Sequence, residues 1–215
     1  MPYPQIKRRQ SGFTLIEIAI VLVIIGLLLG GILKGQELIN NARVKNLASD
    51  FRNIPVFIYG YQDKFKALPG DDIAASTHMT TATNASTPGT LGNGRIEGAW
   101  DSTTATDESF LFWQHVRIAG LAPGSTDPAA ADYPPVNAVG SRLGVQSAAP
   151  FTGMTSGTYF ICSAGISGKF AKQLDAQLDD GNTATGSMMA GTALPAPIAT
   201  TAIGDTTNYT VCMGI

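Results

Sequence analysis

The sequence predicts an α+β fold in which one long N-terminal helix, apolar in its first half and amphipathic in its second, packs against a small antiparallel β-sheet head. Three observations carry this. Residues 13–33 (FTLIEIAIVLVIIGLLLGGIL) form an apolar run of 21 residues. An apolar stripe of helical period follows, at Leu47, Phe51, Ile54, Ile58, Tyr61 and Phe65. The C-terminal quarter holds two short β-prone runs and both cysteines, Cys162 and Cys212. At 215 residues the chain is long enough for one domain with a real core.

The apolar run is about 31 Å long as a helix, the hydrocarbon thickness of a bilayer. Lys7, Arg8 and Arg9 precede it, so the positive-inside rule places the N-terminus in the cytoplasm and the remainder outside. A secretory signal peptide has a shorter apolar region followed by an A-x-A-like site, which LGGILKGQE does not offer. A plain membrane anchor explains the length but not Glu17. A carboxylate inside an apolar helix is costly, and such a residue marks a function and calls for a partner.

The helix is expected to continue to about residue 66, its stripe packed under the head, with Pro55 kinking it. Pro69-Gly70-Asp71-Asp72 supplies the stop. Residues 71–106, rich in Thr, Ala, Ser and Gly, read as a long surface-lying connection with a tight turn at Gly92-Asn93-Gly94. Residues 107–120 read as a short helix capped by Thr106 or Asp107 and ended by Gly120, with Phe112, Val116 and Ala119 on its inner face. Residues 121–156 read as loop. Thr158–Cys162 is a strand candidate, Lys169–Asp179 a short helix with Gly181 near its end, and Thr206–Met213 the last strand.

Charge and motifs exclude several functions. The formal net charge is −2, and removing a leader that ends at Gly12 leaves 11 basic against 16 acidic residues, a net −5. Such a body offers no broad basic surface to a phosphate backbone. Gly92-x-Gly94-x-x-x-Gly98 misses the dinucleotide spacing, and no strand is expected before it. Asn93-Gly94-Arg95-Ile96 matches only the middle of a calcium loop, because Gly89 and Leu91 stand where the first acids belong. His78 and His115 lie in unrelated contexts, His115 as a surface or packing residue, and Asp71 and Asp72 share a turn rather than a face. No enzyme is expected. The even cysteine count in an exported chain favours one disulfide, with two buried thiols as the alternative.

Ser11-Gly12-Phe13-Thr14-Leu15-Ile16-Glu17, after a basic leader and before a long apolar run, resembles the prepilin cleavage and methylation motif of the type IV pilins and type II secretion pseudopilins. The resemblance is specific over residues 7–39. It implies cleavage between Gly12 and Phe13 by a prepilin peptidase, with N-methylation of the new Phe13 amine by a methyltransferase activity. A glycine before the bond gives a protease close access to the backbone. It implies that Glu17 meets the N-terminal amine of a neighbouring subunit, so that the pair selects register.

It further implies a pilin fold divided into a leader (1–12), a transmembrane and filament-core helix (13–33), an amphipathic helix (34–68) and a head (69–215) whose C-terminal region is closed by Cys162–Cys212. The precursor spans the inner membrane, and an assembly platform there builds it with other pilins, or with copies of itself, into an extracellular pilus or a periplasmic pseudopilus. The role is that of a type IV pilus subunit. The alternatives are a secretion pseudopilin or a minor pilin for adhesion or DNA uptake. Many filament-forming pilins carry a proline in the apolar helix, and this chain has none between Pro4 and Pro55.

No cofactor is expected. The pseudopilins that this chain resembles often bind calcium in a C-terminal loop, and Asp175, Asp179, Asp180 and Asn182 supply hard oxygen ligands. The run D-x-x-x-D-D-G-N departs from that loop's pattern, and a polar helix end is the simpler reading.

Overall fold

The computed structural model describes residue 12, residues 14–86 and residues 89–215. Helix α1 runs Leu15–Phe65 without interruption, through Pro55. Among the described residues it is the one helix long and apolar enough to cross a membrane; its most apolar 18-residue window has a mean hydropathy of 2.9, and none of that window is buried. The chain divides into two units, one up to Ala42 and one from Arg43 to Ile215.

The first unit is α1 up to Ala42. From Leu15 to Leu33 every described side chain is exposed, on all sides of the helix. A helix apolar all round is a membrane or bundle element.

The second unit starts with the amphipathic stretch of α1. Val44, Leu47, Ala48, Phe51, Ile54, Ile58 and Tyr61 are buried, as the stripe predicts. After it come α2 (Ala75–His78), α3 (Glu108–Ile118), β1 (Leu143–Gln146), β2 (Phe160–Ser167), α4 (Gly168–Leu178), β3 (Met188–Gly191) and β4 (Asn208–Gly214). The strands form one antiparallel sheet in the order β1-β2-β4-β3. The fold is α+β, and it matches the predicted pilin fold.

Alternation assigns the two faces of the sheet. Val145, Ile161, Val211 and Ala190 join one core cluster with Phe51 and Ile54 of α1, Phe112 and Val116 of α3, and Phe170 and Leu174 of α4. Phe160, Cys162, Cys212 and Met189 face the other way, under Trp100, Phe151 and Met154. A bulge between Ser163 and Ile166 resets the register of β2, and Gly165 there has φ +69°.

Several expectations need correction. The connection at 71–106 is not merely surface-lying, for Asp71, Ala75, Ile96 and Trp100 are all buried. Residues 121–156 are not all loop, for they contain β1, and β3 was not foreseen. Trp100 explains β1: its backbone carbonyl lies where a side chain at Gly144 would stand, 1.8 Å from an ideal Cβ, and its N–H donates to the Gln146 side chain at 2.8 Å. A Cβ would push this covering segment away. Asp107 is the N-cap of α3, but its side chain makes no capping bond; it accepts from the Ser102 hydroxyl instead.

Candidate functional site

The start of α1 is built by Thr14 and Glu17. Glu17 Oε2 accepts from the Thr14 backbone N–H at 2.8 Å and from its hydroxyl at 2.7 Å, and the Glu17 N–H donates to Thr14 Oγ1 at 3.3 Å. Thr14 immediately precedes the first helical residue, so the two residues form a reciprocal capping box, T-x-x-E. The acid at the positive end of the helix dipole is favourable there. As a charge in an apolar run Glu17 does not announce this role, although the Thr14-Leu15-Ile16-Glu17 spacing signals it. Within a single chain, Glu17 already has a partner.

Gly12 is exposed, with nothing within 4 Å of a Cβ built on it. Phe13, the residue expected to carry the new amine, and Lys7, Arg8 and Arg9 lie outside the described residues.

Cys162 and Cys212 form a disulfide between directly opposed residues of β2 and β4, with Cα atoms 4.1 Å apart. It joins residues 50 apart and ties the two inner strands of the sheet together. Closing such a loop is worth about 4 kcal/mol in the chain-entropy model.

The candidate ligands Asp175, Asp179 and Asp180 do come together. One oxygen from each lies within 4.8 Å of the others. Asp175 is 0% exposed, on the last turn of α4, and neither of its oxygens has a hydrogen-bond partner. Burial first, and then the charges of Asp180 and Asp179, push its carboxyl up to about 7, while the Gly181 backbone pulls it down. Asp179 Oδ2 accepts from the Met188 N–H at 2.8 Å. Asp180 accepts from the Asn182 N–H and the Thr185 hydroxyl.

The histidines were expected in unrelated contexts, and the structure corrects this. His78 Nδ1 and the Tyr61 hydroxyl both lie 2.7 Å from Asp72 Oδ2, where each can donate. His115 stacks on Tyr61 with ring centres 5.9 Å apart. Its Nδ1 accepts from the Gly70 N–H at 2.9 Å, so the proton sits on Nε2, which donates to the Thr83 carbonyl at 2.7 Å. Burial holds His115 below its ordinary value and keeps it neutral. This network ties the end of α1 to the 70–83 segment and to α3.

Beside it, Asp71 accepts from the Gly92 and Gly94 N–H groups at 2.5 and 2.7 Å and so holds the predicted turn. Glu108 is 0% exposed. Its Oε2 accepts from the Glu97 N–H at 2.8 Å, and its Oε1 has no partner. Burial, with Asp71 and Glu97 as like charges nearby, pushes Glu108 up to about 8. A pocket of about 490 Å³ opens between Gln62, Lys66, Asp71, Asp72 and Gly92. Asp71 and Asp72 on its wall are engaged in holding the chain around them.

The family model for the prokaryotic N-terminal methylation motif matches residues 7–33. No curated protein and no solved structure matches the chain. The motif points to a structural subunit rather than an enzyme. It implies processing by a prepilin peptidase and assembly with other pilins, and with the long apolar helix it is consistent with a membrane-anchored precursor. The match covers the start of the chain, and the α+β architecture behind it is that of the pilin fold: the chain carries the signature of the type IV pilins and pseudopilins.

Proposed function

We propose that the chain is a structural subunit of a type IV pilus, made as a single-pass inner-membrane precursor and polymerised through α1. The observation that carries this is a helix apolar and exposed on every side from Leu15 to Leu33, interrupted by one acid, Glu17, inside the matched motif. Such a surface needs lipid first and other helices afterwards, since it cannot remain in water.

In this reading the peptidase cuts between Gly12 and Phe13 on the cytoplasmic side, and the Phe13 amine is methylated. Residues 13–33 then form the filament core, residues 34–68 lead into the head, and residues 69–215 face the outside. Glu17 caps its own helix in the free subunit. In the filament it meets the Phe13 amine of a neighbour. A subunit one step out of register leaves both ions unpaired in a low-dielectric bundle, so the pair selects register. Removal of the basic leader leaves a net charge of −5, which gives no support to DNA binding by bulk charge.

Intact-mass analysis of the protein from cells that possess the peptidase tests the processing step. The expected N-terminus is N-methyl-Phe13, and a mature protein that starts at Met1 refutes it. The apolar half of α1 holds no proline, so a pseudopilin or a minor pilin stands as the second reading. Sheared surface filaments separate these: an abundant subunit is a major pilin, a trace is a minor one, and absence from them leaves the pseudopilus.

A further inference from the structure

We propose that the turn at Asn93-Gly94 modifies itself: the Gly94 nitrogen closes on the Asn93 side chain to form a succinimide, and water opens the ring to aspartate or isoaspartate. The observation that carries this is the convergence of three groups on the reacting atoms. At an ordinary asparagine the step is slow, because a backbone N–H gives up its proton reluctantly and a side-chain amide is a poor electrophile. A neighbouring base and a donor to the developing oxyanion answer both difficulties.

Asp71 prepares the nucleophile. Its buried carboxylate accepts from the Gly94 N–H at 2.7 Å, so a base already lies on the proton that must leave. A peptide N–H donates within the plane of its peptide, and both faces of the nitrogen stay open to attack. Arg95 prepares the electrophile. Its N–H donates to Asn93 Oδ1 at 2.8 Å, where negative charge develops once the nitrogen adds to Cγ. The same bond folds the side chain back over the peptide that follows it, which is the direction of ring closure.

The surroundings leave room. Gly94 has φ +79°, and nothing lies within 4 Å of a Cβ built on it. Asn93 and Gly94 are exposed, and the pocket of about 490 Å³ is lined by Asp71, Gly92 and Gly94, so water reaches the ring.

The Gly94 N–H bond and the Asn93 Cγ–Nδ2 bond break, and a Cγ–N bond forms. The proton taken by Asp71 leaves with the amine as ammonia. Water then adds to either ring carbonyl, and nothing is oxidised or reduced. Glu97 Oε1, 3.4 Å from Asn93 Nδ2, faces the departing amine. The product sets a carboxylate beside Asp71 and Glu97 where a neutral amide stood, and the donor to Glu97 is lost. Isoaspartate also lengthens the backbone of the turn by one carbon. An exposed neutral turn thus becomes an acidic one. The turn lies wholly in the second unit and its chemistry does not rest on the assembly reading, so the failure of either leaves the other standing.

The test is timed incubation of the full chain in detergent micelles at neutral pH, followed by proteolytic mapping and mass analysis. A synthetic peptide of residues 89–98, which holds the dipeptide without Asp71, runs beside it. Deamidation reads as a gain of about 1 Da and the succinimide as a loss of about 17 Da. Asn93 in the folded chain should react about tenfold faster than in the peptide, a modest share of what a placed base supplies. Asp71→Asn keeps an acceptor for the N–H but removes the base, and it should slow Asn93 to the rate of the peptide or below. Where Asp71→Asn fails to fold, the comparison of wild type with peptide decides alone. A folded chain that reacts no faster than the peptide, or a folded Asp71→Asn variant that reacts like the wild type, overturns the proposal.

Discussion

Replacing Glu108 by Gln should remove an alkaline instability from the head. The wild-type carboxyl is fully buried, accepts one N–H and faces the like charges of Asp71 and Glu97. Its pKa rises from 4.5 to about 8 on folding. A raised value means that the folded state holds the proton more tightly. The favourable contribution is therefore complete below about pH 4.5 and is lost as pH rises through about 8. At 1.36 kcal/mol per unit the ceiling is about 5 kcal/mol, and local relaxation with water entry reduces it to about 2–3.

Gln keeps the oxygen that accepts from Glu97 and presents an NH2 group instead of a negative charge. In a domain of this size 2–3 kcal/mol corresponds to about 5–10 °C. Trp100 and Trp113 are both buried in the second unit, so thermal unfolding followed by tryptophan fluorescence reads the head. At pH 4.5 the variant should melt close to the wild type, and at pH 9.5 about 5–10 °C above it. Asp50 and Asp175, pushed up to about 6 and about 7, titrate lower, and their share is common to both proteins. An alkaline loss that is identical in both proteins refutes the reasoning.

Three further outcomes are expected. Removing both sulfurs by Cys162→Ala with Cys212→Ala should cost about 4 kcal/mol and leave a weakened head, measured by the same melting assay; an unchanged midpoint contradicts it. Phe51→Ala empties the middle of the stripe, at a residue with no exposed surface, and should cost about 3–5 kcal/mol. A cost under about 1 kcal/mol would mean that α1 does not pack as described. Gly12→Val should accumulate uncleaved precursor in the membrane fraction, read by immunoblot, whereas normal processing removes Gly12 from the cleavage site.

The parts legible in the sequence share a physical feature: a repeated pattern of side chains. The α1 stripe, Phe170 and Leu174 of α4, and Tyr209 and Val211 of β4 all announce a face; all lie in the main core except Tyr61 and Phe65, which pack in a separate cluster, Phe65 only half-buried. β1 and β3 announce nothing. Leu-Gly-Val-Gln and Met-Met-Ala-Gly are four residues each, with glycine in both and almost no β-branching. They are strands because β2 and β4 offer them edges, which is a tertiary fact. The meeting of Tyr61, Asp72, His78 and His115 was likewise invisible, because their positions are separated by 11, 6 and 37 residues and only the chain's return brings them together. The capping box was local and readable. The membrane cost of Glu17 masks it, since the same residue is both a cap and a charge in an apolar run. The acids at 175, 179 and 180 were readable as a cluster, but the burial of Asp175 was not, since it depends on what packs over the end of α4.

The Glu17 side chain has two offices in this account, a cap within its own chain and a charge for its neighbour, and Glu17→Gln separates them. Glutamine at this position still reaches back to the Thr14 N–H but carries no charge. The direct measurement is the amount of subunit in sheared filaments from cells that make Glu17→Gln at wild-type levels, with membrane precursor and cleavage as controls. Normal insertion and cleavage are expected, with filaments reduced at least tenfold; a full yield of filaments would show that the cap alone suffices and that no charge pair selects the register.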